Sequence, residues 1–355
     1  MTKSLTETLG AIKPLNLEAM ETARRRQDTL TKPQGSLGQL EDLAILIAGI
    51  TGNPRPKIRH KAIITMAADH GVAAEGISLY PQEVTGQMVL NFLGGGAGIN
   101  VLARHVGARV VVVDMGVIGG CEPHSGLLCK MIDFGTKNIA REPAMSRQQA
   151  LDAIEAGIEV LESEIAKGLD IVGTGDMGIG NTTASSAVCA VMTGKPVVEV
   201  TGRGTGLRDE QLTHKVAVIE KALQVNQPNP DDPLDVLARV GGFEIGGLAG
   251  VMLGAAANRI PVVIDGFISG AAALIAAGLS PTAREYFIAA HLSVEAGHRV
   301  ALEHLGLTAL LNLRMRLGEG TGAALAISIA EAATKVLDEM ATFEEAGVSE
   351  SEEVG

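Results

Sequence analysis

Short apolar runs rich in β-branched residues recur along the chain, and each gives way to a glycine or a polar residue. Because apolar residues fill successive positions rather than alternate ones, such runs are typical of strands that are buried on both faces. Helical stretches separate them, which predicts an α/β fold with a parallel sheet of about six strands between layers of helices. The predicted strands cover residues 62–66, 110–113, 171–172, 261–264, 286–290 and 309–313.

The two ends of the chain differ from its middle, because they carry helical patterns without strand-like runs. The predicted terminal helices cover residues 17–26, 37–50 and 321–346. This contrast favours a large α/β domain over residues 59–317 and a small helical domain that combines residues 1–58 with 318–355. The acidic end of the chain, residues 348–355, is expected to be disordered.

Polar side chains collect where the predicted strands end. Asp69 and His70 follow the first strand, Asp265 follows the fourth, and His291 and Ser293 follow the fifth. In a parallel sheet these carboxyl ends lie along one edge, and ligands bind there at the point where the strand order reverses. The sequence therefore predicts a ligand site at this edge of the sheet.

Composition and charge argue against nucleic acid and membranes as partners of this protein. The net charge of −12 argues against nucleic acid. The longest apolar stretches are too short and too rich in glycine and alanine to span a membrane comfortably, and the first residues carry no apolar signal core. The cysteines show no metal or redox spacing, which is typical of free thiols in a reducing compartment: Cys121, Cys129 and Cys189. We therefore expect a cytoplasmic protein without a membrane partner.

Residues 169–183 combine a short apolar run, a glycine-rich loop and the start of a helix of small residues. Glycine lets the backbone approach a ligand closely, and free amides at a helix N-terminus favour a phosphate. Residues 173–178 also fit the dinucleotide pattern G-x-G-x-x-G, with Glu199 near the position of a ribose-binding acid. Two predicted strands precede the loop and Asp176 lies inside it, so a mononucleotide or phosphate is favoured over a dinucleotide. A purely structural turn is the remaining alternative.

A second glycine-rich segment, Gly202-Arg-Gly-Thr-Gly206, precedes Lys215 on a predicted helix. By itself this pattern is most often a surface turn. If it lies at the same sheet edge as the first loop, it forms the other half of a phosphate site.

His291, Glu295 and His298 have the three- and four-residue spacing of metal ligands on one helix face. However, His291 falls at a strand end, so a strand-end histidine and a helix-capping glutamate are favoured over a zinc site. Asp69 and His70 are adjacent, and adjacent strand residues point to opposite faces, which disfavours a direct Asp–His relay. Asp69 is as well explained by a role in organising its loop.

Glu319 follows a predicted strand and precedes a helix, with Met315 and Leu317 as apolar neighbours. A carboxylate in such surroundings has a raised pKa and becomes a useful base near neutral pH. The alternative is an acid that is favoured by the dipole at the start of its own helix. Spacing alone does not separate these two interpretations.

Several ordered segments, from about residue 30 to 325, together resemble the nicotinate-nucleotide:dimethylbenzimidazole phosphoribosyltransferase family of cobalamin lower-ligand assembly. They are Lys32-Pro-Gln-Gly-Ser-Leu-Gly-Gln-Leu-Glu41, Ala68-Asp-His-Gly-Val72, Gly175-Asp-Met-Gly-Ile-Gly-Asn-Thr-Thr183, Gly202-Arg-Gly-Thr-Gly206, Asp265-Gly-Phe267 and Gly318-Glu-Gly-Thr-Gly-Ala323. The resemblance implies a Rossmann-like sheet, a small helical domain from both chain ends, no metal or organic cofactor, and a homodimer. It also implies transfer of the phosphoribosyl group of nicotinate mononucleotide to 5,6-dimethylbenzimidazole, giving α-ribazole 5′-phosphate and nicotinate.

The resemblance also assigns roles to residues. Glu319 matches the family's general base, and Asp176 stands where a glutamate is expected in many relatives. The candidate residues for the nucleotide phosphate and ribose are Asp176, Met177, Gly178, Gly180, Asn181, Thr182, Gly202, Gly204, Lys215 and Ser293. The candidates for the aromatic base are Tyr80, Gln87, Met88 and Leu317, with a packing role between domains as the alternative for Tyr80.

Three other functions stay open at the level of sequence. The same transfer to adenine or a phenol is compatible with the motifs, because a family resemblance fixes the chemistry better than the acceptor. A nucleotide-binding sensor without catalysis and a dinucleotide-dependent dehydrogenase are the alternatives from other classes.

Overall fold

The computed structural model describes residues 3–120, 124–204, 206 and 208–349 of the protein. Cys121, Thr205 in the second glycine-rich segment, and residues 350–355 of the acidic end lie outside the described residues. Cys129 and Cys189 are free thiols, the first exposed and the second buried.

A parallel sheet forms the centre of the molecule. Its strands are β1 (Lys61–Ala68), β2 (Arg109–Gly116), β3 (Leu127–Cys129), β4 (Ile171–Met177), β5 (Val262–Ile264) and β6 (Phe287–Ala289). They are arranged in the order β3-β2-β1-β4-β5-β6, and each neighbouring pair is parallel. Every residue of β1 is buried, as its unbroken apolar run predicts. The strand order reverses between β1 and β4, which is the point where a Rossmann-like sheet binds its ligand.

One predicted strand is wrong and one strand was missed. Residues 309–313 do not form a strand; Leu311 makes only an isolated bridge to His291 beyond the end of β6. The apolar run is present, but too few of its residues pair with the edge of the sheet to form a ladder. β3 takes the sixth place instead, and its three residues are too few to give a recognisable pattern.

The helices cover both faces of the sheet and the two ends of the described chain. They are α1 (Leu5–Ala11), α2 (Leu17–Thr29), α3 (Gln39–Thr51), α4 (Val84–Leu93), α5 (Gly98–Val106), α6 (Arg147–Ile165), α7 (Asn181–Thr193), α8 (Val197–Val200), α9 (Asp209–Asn226), α10 (Pro233–Val240), α11 (Phe243–Ala257), α12 (Phe267–Leu279), α13 (Ala296–Leu305), α14 (Thr321–Glu339) and α15 (Phe343–Ala346). Short 3₁₀ helices cover Gly71–Glu75 and Pro281–Tyr286.

Two apolar cores lie on opposite faces of the sheet. Alternate β1 residues belong to different cores: Ile64 and Met66 pack with α6, α11 and α12, whereas Ile63 and Ala67 pack with α3 and α14. Parallel strands covered on both faces give this arrangement.

The two ends of the chain meet on the second face. Arg26, near the end of α2, donates from Nε to the carbonyl of Leu337 at 2.7 Å, and Leu30 forms an antiparallel bridge with Thr342. Since α14 also packs directly against the sheet, the division into a large domain over residues 59–317 and a small domain from 1–58 and 318–355 stays a prediction. None of the helices described is long and apolar enough to cross a membrane.

Candidate active site

A cleft of about 490 Å³ lies at the carboxyl ends of the strands, beside the reversal of strand order. Loops after β4, β5 and β6 line it, together with the start of α4 and the loop before α14. The lining residues are Tyr80, Val84, Met88, Asp176, Met177, Gly178, Ile179, Asn181, Thr182, Gly204, Gly266, Phe267, Ile268, His291, Ser293, Glu295, Arg316, Leu317, Gly318 and Glu319.

The cleft brings together most of the residues singled out in the sequence. The predicted nucleotide-binding, base-binding and catalytic residues that line it are Tyr80, Met88, Asp176, Met177, Gly178, Asn181, Thr182, Gly204, Ser293, Leu317 and Glu319. Four candidates, all within the described ranges, are not part of the lining: Gln87, Gly180, Gly202 and Lys215. Gln87 is exposed on α4, Gly180 is the N-cap of α7, and Lys215 lies behind Thr182 and Gly204 of the lining. The roles of all these residues stay predictions.

Glu319 is buried beside the start of α5, a helix far away in sequence. Its Oε2 accepts a hydrogen bond from the backbone amide of Ile99 at 3.0 Å. Burial raises the pKa of the carboxyl above its ordinary value, and the amides of Ile99 and Gly98 oppose that rise only in part. The geometry therefore combines a fixed orientation with a raised proton affinity, and both favour a role as a base.

Asp176 lies at the end of β4 and is a second buried carboxylate of the cleft. Its Oδ2 accepts a hydrogen bond from the side-chain amide of Asn181 at 2.9 Å, while Oδ1 has no partner among the described residues. Burial raises the pKa of Asp176 well above its ordinary value, and the negative charges of Asp265 and Glu244 add to this rise. A cationic ligand beside Asp176 would stabilise the ionised form, so this position suits positive charge.

Asp265, which follows β5, holds the loop that carries Glu319. Its two carboxylate oxygens accept the amides of Gly320 at 3.1 Å and Ala323 at 3.0 Å, which satisfies free N–H groups at the start of α14. Burial raises the pKa of Asp265 to about 7 in spite of these amides. The sequence placed Asp265 at a strand end but did not reveal that it contacts the Glu319 loop.

Positive charge lies beside the start of α7, at the basic end of the cleft. Lys215 on α9 is buried and donates from Nζ to Oγ1 of Thr182 at 2.8 Å, in the first turn of α7. Burial lowers the pKa of Lys215 to about 8, although the negative charge of Glu295 acts against this fall. Arg316 adds a second cation and donates from Nη1 to the carbonyl of Gly204 at 3.0 Å. Since Gly180 offers no side-chain cap to α7, this end of the cleft suits an anion.

Glu295 is a residue of this end whose role sequence reasoning missed. It is the N-cap of α13, but its side chain makes no capping hydrogen bond and instead lines the cleft. Glu295 lies so close to Gly202 that any side chain at position 202 would overlap its carboxylate. Burial raises the pKa of Glu295, and the charge of Lys215 opposes the rise. Helix capping was the expected role, and only the fold shows that the side chain turns towards Lys215.

The histidines near this end do not form a metal site with Glu295. The amide of Ser293 donates to Nδ1 of His298 at 3.0 Å, and burial lowers the pKa of His298 to about 3, which keeps the ring neutral. Among the described residues, no group of three or more His, Cys, Asp or Glu side chains is arranged to hold a metal ion.

His70 pairs with Glu244 of α11 rather than with its sequence neighbour Asp69. The His70 Nε2 and Glu244 Oε1 atoms lie 2.8 Å apart, and both side chains are buried. Burial alone would lower the pKa of His70, but the charge of Glu244 raises it above its ordinary value. Asp69 accepts the backbone amide of Ile118 at 2.8 Å through Oδ2, so it organises the loop after β2.

The fold belongs to the Rossmann-like α/β class, and its cleft combines a basic end and a carboxylate end in one site. A family model described as phosphoribosyltransferase matches residues 12–348. The chain therefore belongs to this phosphoribosyltransferase family.

Individual relatives agree with the family match. The chain is 63% identical, over 98% of its own length and 98% of the relative's, to the nicotinate-nucleotide–dimethylbenzimidazole phosphoribosyltransferase of Desulforudis audaxviator. It is also 63% identical to the enzyme of the same name from Chloroflexus aggregans, over 98% of this chain and 99% of that one. The crystal structure of the nicotinate-nucleotide–dimethylbenzimidazole phosphoribosyltransferase from Thermus thermophilus superposes with a TM-score of 0.90, at 45% identity, and covers 95% of this chain and 100% of that one.

Proposed function

We propose that the protein transfers the phosphoribosyl group of nicotinate mononucleotide to 5,6-dimethylbenzimidazole, which yields α-ribazole 5′-phosphate and nicotinate for cobalamin assembly. Family membership and the names of the relatives support the reaction class and both substrates. The structural observation that carries the proposal is the position of Glu319, a buried carboxylate with a raised pKa in the same cleft as an anion-binding helix start.

In this reaction Glu319 takes a proton from the acceptor. Benzimidazole has one bare ring nitrogen and one N–H group. The bare nitrogen attacks the anomeric carbon of the ribose while the N–H proton passes to the Glu319 carboxylate, so the new ribotide leaves with a neutral base. The Ile99 amide fixes Oε2 of Glu319, which orients the carboxylate for this transfer.

The donor binds with its phosphate at the basic end of the cleft. Thr182 supplies a hydroxyl, the dipole of α7 favours negative charge at the start of that helix, and Lys215 supplies charge behind them. As the bond to the anomeric carbon breaks, its electron pair returns to the pyridinium nitrogen and nicotinate departs with a neutral ring, without acid assistance. Positive charge builds on the ribose at that moment, and Asp176 stabilises it from the end of β4.

The acceptor lies against the apolar residues near Glu319. Met88 and Leu317 line the cleft there, and Tyr80 offers an aromatic face at its mouth. Tyr80 is 54% exposed, whereas the other tyrosine, Tyr286, is fully buried and donates its hydroxyl to the carbonyl of Lys13. Of the two, only Tyr80 is placed to stack on a planar base.

The assembly and location of the protein are proposed on the basis of the family resemblance alone. We infer a homodimer that acts in the cytoplasm on these small molecules. Sedimentation equilibrium of the purified protein tests the dimer.

Turnover tests the proposed reaction directly. The purified protein, in buffer treated with a chelator, is incubated with nicotinate mononucleotide and 5,6-dimethylbenzimidazole, and free nicotinate and the new ribotide are separated by chromatography. Formation of both products in equal amounts supports the proposal. Binding of the nucleotide without any turnover points instead to a sensor. Parallel reactions with adenine and a phenol rank the acceptors by kcat/KM.

A further inference from the structure

Thr65 on β1 and Gly175 on β4 are partners in the register of the parallel sheet, and the backbone of Glu319 lies against both. Thr65 donates from Oγ1 to the carbonyl oxygen of Glu319 at 2.9 Å. A Cβ atom at Gly175 would overlap that same carbonyl group. One residue of the pair therefore supplies a hydrogen bond, and the other supplies the space that the carbonyl occupies.

The backbone of Glu319 needs such support, because it is in the left-handed region. Its φ is 63°, a conformation that a side chain with Cβ adopts only at a cost in free energy. The peptide groups on both sides are tied: the Glu319 amide donates to the carbonyl of Asp176 at 3.3 Å, and the Gly320 amide donates to Asp265 at 3.1 Å. The hydrogen bond from Thr65 holds the Glu319 carbonyl, which lies between these two amides along the backbone.

We propose that Thr65 and Gly175 are positioning residues for Glu319, which keep its backbone left-handed and its carboxylate directed into the cleft. The inference rests on the proposed function, in which Glu319 accepts the acceptor's proton. It also gives Gly175, a member of the glycine-rich segment that the sequence assigns to nucleotide binding, a role in proton transfer. Gly175 itself does not line the cleft.

The expected consequence is confined to the chemical step. A general base works only within hydrogen-bond reach of its proton, and a displacement of about 1 Å costs about 100-fold in rate. In the proposed function the nucleotide phosphate is held elsewhere, by Thr182 on α7 and Lys215 on α9, whereas the Thr65 hydroxyl bonds to Glu319. Loss of the Thr65 hydroxyl should therefore lower kcat and leave the KM for nicotinate mononucleotide nearly unchanged.

Thr65→Val removes the hydroxyl while keeping the shape of the side chain, and Thr65→Ser keeps the hydroxyl. We expect Thr65→Val to lower kcat by about 10- to 100-fold, with the nucleotide KM within about threefold of wild type, and Thr65→Ser to stay close to wild type. Gly175→Ala tests the same contact from β4 and should give the same split between kcat and KM. Gly10→Ala in α1, where a Cβ meets open space, is the matched control.

A double-mutant cycle separates positioning from general weakening of the fold. If Thr65 acts through Glu319, Thr65→Val should cost nothing further in a Glu319→Gln background, whereas independent effects multiply. Two outcomes would overturn the inference while leaving the proposed function intact, provided that the wild-type protein turns over. One is that the losses of Thr65→Val and Glu319→Gln multiply; the other is that Thr65→Val and Gly175→Ala both keep wild-type kcat. If Thr65→Val does not fold, Gly175→Ala and its own cycle with Glu319→Gln decide. No turnover by the wild type overturns the proposed function and the inference with it.

Discussion

Two groups of charged side chains in the cleft, its acidic end and its basic end, meet at the start of α7, where Asn181 donates to Asp176. At one end Glu319 and Asp176 are buried carboxylates whose pKa values are raised. At the other, Lys215 and Arg316 surround the uncapped start of α7. In the proposed reaction the two ends have different tasks: the acidic end serves proton removal and the growing positive charge, and the basic end holds the donor. Changes at the acidic end should therefore appear in kcat, and changes at the basic end in nucleotide affinity.

The largest effect is expected at the acidic end. Glu319→Gln keeps the size of the side chain but removes the base, so kcat should fall about 100- to 10,000-fold. Nucleotide affinity, measured by calorimetry, should change little. Glu339→Gln, at the exposed end of α14, is the control and should leave the rate unchanged. A Glu319→Gln variant with wild-type kcat would remove Glu319 from the role of base.

Lys215→Met gives the counterpart at the basic end. The substitution keeps the length of a buried side chain and removes its charge and its bond to Thr182. We expect the KM for nicotinate mononucleotide to rise about 10- to 150-fold, since a hydrogen bond to a charged group contributes about 1.5–3 kcal/mol. Lys221→Met, an exposed lysine on the same helix, is the matched control. A fall in kcat with unchanged nucleotide KM would contradict the division of tasks.

The pH dependence should show both ends in one profile. Glu319 must be ionised, so kcat at saturating nucleotide should fall about tenfold per pH unit below its raised pKa. Lys215 must be protonated to attract the phosphate, so kcat/KM should fall as the pH rises through its pKa of about 8. The acidic limb should vanish in Glu319→Gln, because that variant lacks the titrating carboxyl. A limb that persists would come from titration of the substrates. The basic limb should be absent from kcat, because bound phosphate keeps Lys215 protonated.

The smallest effect is expected at the mouth of the cleft. Tyr80→Ala should raise the KM for dimethylbenzimidazole about 3- to 10-fold, because a stacking contact of an exposed aromatic ring contributes about 0.5–1.5 kcal/mol. Tyr80→Phe keeps the ring and should behave like wild type. Competition between dimethylbenzimidazole and adenine measures whether this position also ranks the acceptors. An unchanged acceptor KM in Tyr80→Ala would favour the packing role.

Much of the fold could be predicted, because the burial of a strand on both faces is visible in its own residues. Five of the six predicted strands coincide with strands of the sheet, including β1 with every residue buried. The exceptions depend on pairing rather than on composition. Residues 309–313 form hydrogen bonds at the end of β6 but only one bridge, from Leu311 to His291, while the three residues of β3 pair with β2 in spite of a weak pattern. How many residues of a segment pair with a neighbouring strand depends on the folded sheet and cannot be read from the segment itself.

The candidate site was predictable to the same extent and for the same reason. Glu319, Asp176 and Asn181 stand at strand ends or a helix start, and a parallel sheet brings such positions to one edge. Glu295 and Asp265 were also recognised at ends of elements, but their contacts with Lys215 and with the Glu319 loop join segments far apart in the chain. Gln87 differs from its prediction in the opposite way: its motif predicted a place in the base pocket, but its side chain on α4 is exposed to solvent.

The sequence by itself determined the α/β class, the edge of the sheet that carries the candidate site and the residue types available there, because periodicity and strand ends are properties of neighbouring residues. Only the tertiary structure decided which groups meet. The proton affinity of Glu319 depends on removal from water and on the amides of α5, and its backbone carbonyl contacts Thr65 and Gly175. These contacts exist only after the chain has folded, since distance in space, not in sequence, sets the strength of each interaction.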